Sequence, residues 1–172
     1  MSILKVSRLG HPVLRNQARH LSREQLASGP IQTLIDNMIE TMVEYTGVGL
    51  AAPQVHESLS LAVIESQSPR GEIPLTVLVN PSLTVLDETP LEDWEGCLSI
   101  PEMRGRVPRF SKLKVEALDR FGKPLSIVAE GFFARVIQHE LDHLAGHVYI
   151  DRMAGFQTLT HFAEFQRYWI PQ

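Results

Sequence analysis

His139-Glu140-Leu141-Asp142-His143 lies near the end of a largely apolar segment, Phe132 to Leu144, which Gly146 follows. Apolar residues at Val136 and Ile137 precede the motif, and a glycine is common just beyond the end of a helix. We therefore predict a helix over residues 132–144. Residues four apart lie on one side of a helix, so both histidines are presented together.

The two histidines of this HExxH motif can bind one divalent ion, and Glu140 can act as a general base without being a ligand. A third ligand is still needed. A straight helix places His147 about 12 Å from His139 along its axis, and His147 also follows Gly146, so it is a poor candidate. Cys97 is the better one. A lone cysteine is more often a small buried apolar residue, but this motif otherwise lacks its third ligand. Two imidazoles, one thiolate and an open position are typical of a catalytic metal site.

The segment from Gly47 to Val55 is too rich in glycine and proline for a helix. Its small side chains and accessible backbone would suit a peptide that lies along it as an added strand. The amide N–H groups of Gln54 could stabilise a developing oxyanion. Taken alone, a Gly-x-Gly-Leu segment is more often a turn than a site.

The rest of the chain predicts an α+β fold. A helix is expected from Pro30, with Ser28 close enough to cap it and Gly47 ending it, and a last helix from Phe156 to Tyr168. A hairpin turn is expected at residues 119–123. Alternating or β-branched patterns predict strands over 59–65, 76–79, 82–86, 113–118 and 125–129. We expect one compact domain over residues 1–172, with mixed or antiparallel β-sheets packed around the central HExxH-bearing helix.

The composition narrows the functional classes. The chain has 172 residues, with 20 acidic and 16 basic side chains and a formal net charge of −4. Direct nucleic-acid binding is therefore not expected. The single cysteine excludes an intramolecular disulfide and fits a reducing compartment. No apolar run is long enough to span a membrane and no signal or transit peptide is visible, so we expect a cytoplasmic protein without membrane contact.

Together, three segments closely resemble peptide deformylase. The family shows Gly-x-Gly-Leu-Ala-Ala-x-Gln, Glu-Gly-Cys-Leu-Ser and a His-Glu…Asp-His-Leu motif, or close variants. This sequence has Gly47 to Gln54, Glu95 to Ser99 and His139 to Leu144 in that order. The resemblance implies a compact α+β metallohydrolase. It would remove the N-formyl group from the initiator methionine of nascent bacterial or organellar proteins and release formate.

The resemblance also implies roles for individual residues. The metal ligands would be Cys97, His139 and His143, and Glu140 would be the general acid and base. Gln54 and the backbone N–H of Leu98 would stabilise the oxyanion. The substrate-binding residues would be Gly49, through its backbone, Val48, Phe132 and Val136 around the methionine side chain, and Glu95 and Arg104 beside the cleft. Arg135 lies near that pocket, where its side chain is expected to extend outward to water.

The identity of the metal does not follow from the ligand types alone. On general grounds two imidazoles and one thiolate suit zinc. The resemblance implies one Fe²⁺ ion in the cell, with Zn²⁺, Ni²⁺ or Co²⁺ as occupants of a purified sample. Some family members dock on the ribosome through a basic C-terminal helix. Here Arg167 is the only basic residue after Met153 apart from His161, which argues against docking through this tail.

Three alternatives remain open at the level of the sequence. An HExxH endopeptidase would use the same helix but would not need Cys97 or Gln54. A non-catalytic metal-binding protein would have a fourth protein ligand. A re-purposed paralogue could keep the ligands and accept another N-acyl substrate.

Overall fold

The computed structural model describes residues 2–170. Its helices are α1 (Arg23–Ala27), α2 (Gly29–Glu44), α3 (Gly131–Leu144) and α4 (Phe162–Tyr168). Its strands are β1 (Gly49–Ala51), β2 (Leu61–Ser68), β3 (Gly71–Cys97), β4 (Ile100–Leu118), β5 (Pro124–Glu130) and β6 (Thr160–His161). Short 3₁₀ turns cover Pro12–Arg15, Ala52–Val55 and Tyr149–Arg152.

The strands form an antiparallel path in the order β1-β2-β3-β4-β5, and β6 pairs with β4. The hairpin of β3 and β4 is its largest part. This hairpin turns at Leu98 and Ser99, where Cys97 pairs with Ile100. The α+β class predicted from the sequence is confirmed, and the ladders between these six strands are antiparallel throughout.

The two long helices pack on the sheet through the apolar faces that their sequences predict. Helix α2 buries Ile35, Met38 and Met42 against a cluster that includes strand β2. Helix α3 buries Ala134 and Ile137 in a second cluster with strands β2 to β5. This apolar face holds helix α3 against the sheet, and the histidines His139 and His143 lie on the same helix.

Strand β3 is one long strand where two separate strands were expected, over 76–79 and 82–86. It continues because irregularities in its pairing with β4 accommodate the prolines. The register with β4 shifts between Val79 and Ser82, around Pro81, and again between Asp87 and Pro90. Proline cannot donate to the ladder and is tolerated at such irregularities. The strand therefore continues through both prolines to Cys97.

The boundaries of the helices also differ from expectation in places. Helix α2 ends at Glu44, before Gly47, and its N-cap Ser28 makes no side-chain capping bond. The last helix begins at Phe162 and not at Phe156, because Thr160 and His161 pair with strand β4. The helix predicted over 132–144 is confirmed as α3, and the strand after the 119–123 turn as β5.

None of the helices in the described part of the chain has the length and apolar character that crossing a bilayer requires.

Candidate active site

Cys97, His139 and His143 converge at one point between the β3–β4 turn and helix α3. Their ligand atoms all lie within 4.8 Å of one another, and Cys97 Sγ is 3.2 Å from His143 Nε2. Ligands around one tetrahedral ion with bonds of roughly 2.0–2.3 Å are about 3.5 Å apart. The donor set and its spacing therefore fit a single divalent ion with three protein ligands and one open position.

The electrostatic surroundings of Cys97 favour a thiolate. Burial raises the pKa of this thiol, but the neighbouring imidazoles of His143 and His139 outweigh burial and hold the pKa well below its usual range. Gln54 Nε2 and the Ser99 N–H also donate to Cys97 Sγ, each at 3.4 Å. Thiolate is the form that binds metal ions.

Glu140 is buried beside the two histidines. Its Oε2 atom has no hydrogen-bond partner among the described residues, and a Cβ atom at Gly49 would collide with its carboxylate. Burial raises the pKa of Glu140 to about 7, although His139 and His143 act in the opposite direction. A carboxyl group with such a pKa can both accept and release a proton near neutrality.

Gln54 presents its amide nitrogen to the same point. The Ala51 N–H donates to Gln54 Oε1 at 2.8 Å, which directs Nε2 towards Cys97 Sγ and Ser99 Oγ, the latter at 3.3 Å. Leu98 follows Cys97 in the turn, and its N–H has no acceptor within residues 2–170. Both predicted oxyanion donors thus lie next to the ligand cluster.

Glu95 lies behind His139 and contributes to the wall of the cavity next to the ligand cluster. Its Oε1 accepts from Arg109 Nε at 2.9 Å and Arg135 Nη1 at 2.8 Å, while Oε2 accepts from Arg109 Nη2 at 3.0 Å and His139 Nδ1 at 2.8 Å. A carboxylate has about four acceptor positions, so these bonds occupy them. Glu95 orients His139 with Nε2 towards the ligand cluster.

Burial of Glu95 raises its pKa, but the hydrogen bonds from His139 and Arg109 outweigh burial and hold the pKa well below the ordinary value. Arg109 extends this ion network to the other end of the motif, since its Nη1 donates to Asp142 Oδ2 at 2.5 Å. Arg152 also donates to Asp142. The network ties both ends of the His139–His143 motif to the sheet.

The expectation that Arg135 extends outward is wrong. The residue is 5% exposed, and its guanidinium donates to Glu95, to the Val107 carbonyl at 2.8 Å and to the Leu91 carbonyl. The physical reason is the buried carboxylate of Glu95, which needs cationic and hydrogen-bonding partners in the protein interior.

A groove of about 700 Å³ opens onto the ligand cluster. Edge strand β1 begins along it at Gly49. The other residues predicted to contact substrate also line it, namely Val48, Glu95, Arg104, Phe132 and Val136. The lining further includes four large apolar residues, Trp94, Phe162, Phe165 and Ile170. His147 is not part of the ligand cluster.

Sequence reasoning missed Arg109, Ser99 and the C-terminal phenylalanines as parts of the site. Arg109 is 14 positions from Glu95 and 33 from Asp142, so no local spacing links the three. Ser99 could have been found from its place two residues after Cys97. Phe162 and Phe165 belong to an apolar sequence pattern, and such a pattern is the same whether the side chains line a groove or pack in the hydrophobic core.

The chain is similar in sequence to known proteins. The sequence model described as "Polypeptide deformylase" matches residues 3–158. "Peptide deformylase 1" of Nitrosomonas europaea is 43% identical over 86% of this chain and 85% of its own length. "Peptide deformylase 2" of Pseudomonas syringae pv. tomato is 40% identical over 90% of this chain and 89% of its own.

Solved structures show the same similarity. A Met-Ala-Ser-bound class I type b peptide deformylase from Acinetobacter baumannii superposes with a TM-score of 0.85 at 37% identity, covering 88% of this chain and 99% of that one. A peptide deformylase from Thermotoga maritima superposes with a TM-score of 0.81 at 35% identity, covering 90% of this chain and 100% of that one.

Proposed function

The chain belongs to the peptide deformylase family and is a metal-dependent hydrolase that removes the N-formyl group from newly made polypeptides, and on that premise we propose how its residues perform the reaction. The observation that carries the proposal is the convergence of Cys97, His139 and His143 within 4.8 Å, beside buried Glu140. We assign these three residues as the metal ligands. When bound, the ion would polarise the formyl oxygen and lower the pKa of a water molecule.

Glu140 is proposed as the general base and then the general acid. It takes a proton from the attacking water, whose oxygen forms a bond to the formyl carbon. When the carbon–nitrogen bond breaks, Glu140 gives the proton to the leaving amine and formate is released. This role is supported by the pKa of Glu140, which burial raises to about 7.

Gln54 and Leu98 are proposed as the donors to the oxygen that becomes negatively charged in the transition state. The Gln54 amide is already oriented by the hydrogen bond that the Ala51 N–H donates to its Oε1 atom. Donors fixed before the reaction need no reorganisation during it, which makes them effective catalysts.

The substrate is proposed to lie along β1 as an added strand. This strand is at the edge of the sheet, and edge strands offer unpaired backbone groups to a peptide. Gly49 provides the backbone contact, and Val48, Phe132 and Val136 surround the methionine side chain. Arg104 lies beside the part of the substrate peptide that follows the methionine. The methionine side chain is unbranched and adaptable, so it suits such an apolar slot.

The cellular substrates are proposed to be nascent N-formyl-Met peptides in the cytoplasm. The single cysteine and the net charge of −4 are consistent with a reducing compartment and with no direct nucleic-acid contact. A transient association with the ribosome gains no support from α4, whose one basic residue is Arg167.

The activity is tested with formyl-Met-Ala, acetyl-Met-Ala and casein under identical conditions. Only the formyl peptide should be hydrolysed, because the formyl carbon carries just hydrogen and a tight site excludes the acetyl methyl group. Formyl-Met-Ala should also exceed formyl-Asp-Ala in kcat/KM by a large factor. Casein cleavage would indicate an endopeptidase, and acetyl hydrolysis a re-purposed paralogue. Metal binding without hydrolysis would indicate a non-catalytic protein.

Fe²⁺ is proposed as the metal in the cell on the strength of the resemblance alone, because a thiolate and two imidazoles as ligands also suit zinc. A ferrous sample prepared without oxygen should lose activity in air, because thiolate and Fe²⁺ are both oxidisable. A Ni²⁺- or Zn²⁺-loaded sample is the control and should keep its activity. Iron activity that is stable in air would contradict this assignment.

A further inference from the structure

The C-terminal segment adds an aromatic wall to the substrate groove. We define this wall as Trp94 of β3 with Phe162, Phe165 and Ile170, all four of which line the same groove as Val48 and Phe132. The Trp94 and Phe165 rings are 4.9 Å apart between centroids in an edge-to-face arrangement. The Trp169 ring also packs on Trp94, with 5.2 Å between the two ring centroids.

Backbone pairing fixes the wall to the sheet. Thr160 and His161 of β6 pair with Arg104 and Met103 of β4, immediately before Phe162 begins α4. The Arg104 guanidinium lies 4.5 Å from the centre of the Phe162 ring and fills the space above Gly96, where a Cβ atom would collide with it. The position of the wall therefore depends on contacts with the β3–β4 hairpin that also carries Cys97.

The wall is not part of the buried core. Phe162 and Phe165 are partly exposed on the groove side of α4, whereas Tyr168 on the same helix is 66% exposed and does not line the groove. The family sequence model ends at residue 158, before this segment begins. These partly exposed rings are available to an occupant of the groove, whose lining also includes Cys97, His139 and Glu140.

We propose that the aromatic wall is a specificity subsite for the residue that follows formyl-methionine, and that it favours an apolar or aromatic side chain there. This inference rests on the proposed binding mode. In an extended peptide, neighbouring side chains point to opposite sides. A methionine side chain between Val48 and Phe132 therefore directs the next side chain away from that slot, and the wall residues are the large apolar groups of the remaining lining.

The chemistry of the wall favours this occupant over a charged one. Offset and edge-to-face contacts between aromatic rings add affinity beyond the apolar area that they bury. Arg8, Arg70 and Arg104 also line the groove and provide the competing possibility of an acidic side chain, which the Asp peptide in the test below measures. However, Arg104 is stacked on Phe162, and Arg70 is paired with Asp93 and stacked 4.4 Å from Phe132.

The test compares kcat and KM for formyl-Met-Xaa-Ser peptides with Phe, Ala or Asp at Xaa. The wild type should prefer Phe over Ala by about tenfold in kcat/KM. The higher kcat/KM of the Phe peptide should come mainly from a lower KM, because the wall is remote from the carbon–nitrogen bond that breaks. In Phe165→Ala this preference should fall to within about twofold. Phe165→Leu, which keeps most of the apolar volume, should retain part of it.

Tyr168→Ala is the matched control, because it removes an aromatic ring from the same helix without altering the groove, and it should keep the wild-type preference. Equal wild-type rates for all three peptides, a preference for Asp, or a preference that survives Phe165→Ala would overturn the inference while leaving deformylation intact. Failure to hydrolyse any formyl peptide would overturn the proposed function itself.

Light scattering on the same samples completes the test. A dimer that dissociates in Phe165→Ala, with unchanged peptide preference, would assign the wall to a second copy of the chain and overturn the inference.

Discussion

The Glu140 carboxylate occupies the space that a side chain at Gly49 would need, although the two residues belong to different elements, β1 and α3. Burial raises the pKa of Glu140, and the Gly49 backbone is among the groups that lie against its carboxylate. The requirement for glycine at position 49 is therefore steric. It is not conformational, because Gly49 does not have a left-handed backbone conformation.

Gly49→Ala should lower kcat/KM by about 10²-fold, because the added methyl group displaces Glu140 and small displacements of a catalytic group have effects of this size. Gly29→Ala is the matched control, since a Cβ atom there has no heavy atom within 4 Å and lies in the first turn of α2. Steady-state kinetics on both variants provides the comparison. A Gly49→Ala enzyme with wild-type kinetics would show that Glu140 does not need its present position.

Glu140→Gln should lower kcat by about 10³-fold or more, because the amide cannot accept a proton and general acid–base groups typically contribute about 10²–10⁴-fold. The metal content should stay near that of the wild type, since Glu140 is not assigned as a ligand. Cys97→Ala provides the contrast and should lose metal and activity together. Elemental analysis and kcat are measured on the same samples. Activity of the Gln variant within tenfold of the wild type would exclude Glu140 as the base.

At the level of elements, the position of α3 depends on a buried ion network as well as on apolar packing. Arg109 of β4 bridges Glu95 of β3 and Asp142 of α3, and the side chains of Arg109 and Glu95 are 5% and 4% exposed. The hydrogen bonds keep both carboxylates charged within the protein interior. The same bonds orient His139, so the network connects packing to the site.

Arg109→Met should destabilise the fold by about 3–5 kcal/mol, because it leaves two buried carboxylates without their shared cation. Arg106→Met, on the same strand, removes an exposed ion pair with Glu92 and should change stability by about 1 kcal/mol or less. Urea unfolding of both variants measures the difference. Equal stabilities would mean that water, and not Arg109, solvates the two carboxylates.

The sequence was sufficient to predict α3 and the three residues, Cys97, His139 and His143, that the structure brings together. Helix α3 has a clear apolar face and its two histidines have the HExxH spacing, whereas Cys97 follows only from the need for a third ligand. The Glu95 network could not be predicted, because its members join β3, β4 and α3 across 14 to 44 positions of sequence. The start of α4 was misplaced for a similar reason, since pairing with Met103 and Arg104 decides it.

At the scale of the whole molecule, the site joins parts of the fold that are distant in sequence. Cys97 comes from the turn of the long hairpin, and His143 from α3 comes 46 positions later. The groove continues past this junction to the C-terminal helix. An ion bound by all three ligands would therefore link the hairpin to the central helix.

Removal of the ion should lower the melting temperature of the protein. Ligand concentrations near 1,000 times Kd stabilise a fold by about 4 kcal/mol, which corresponds to roughly 8–16 °C for a chain of this size. Scanning calorimetry of a Ni²⁺-loaded sample, before and after chelation and after the ion is restored, measures the change. Cys97→Ala is the control and should show little response to the chelator, because a ligand is already missing. If the wild type, with about one ion per chain, melts at the same temperature after chelation, the ion does not link the hairpin to α3.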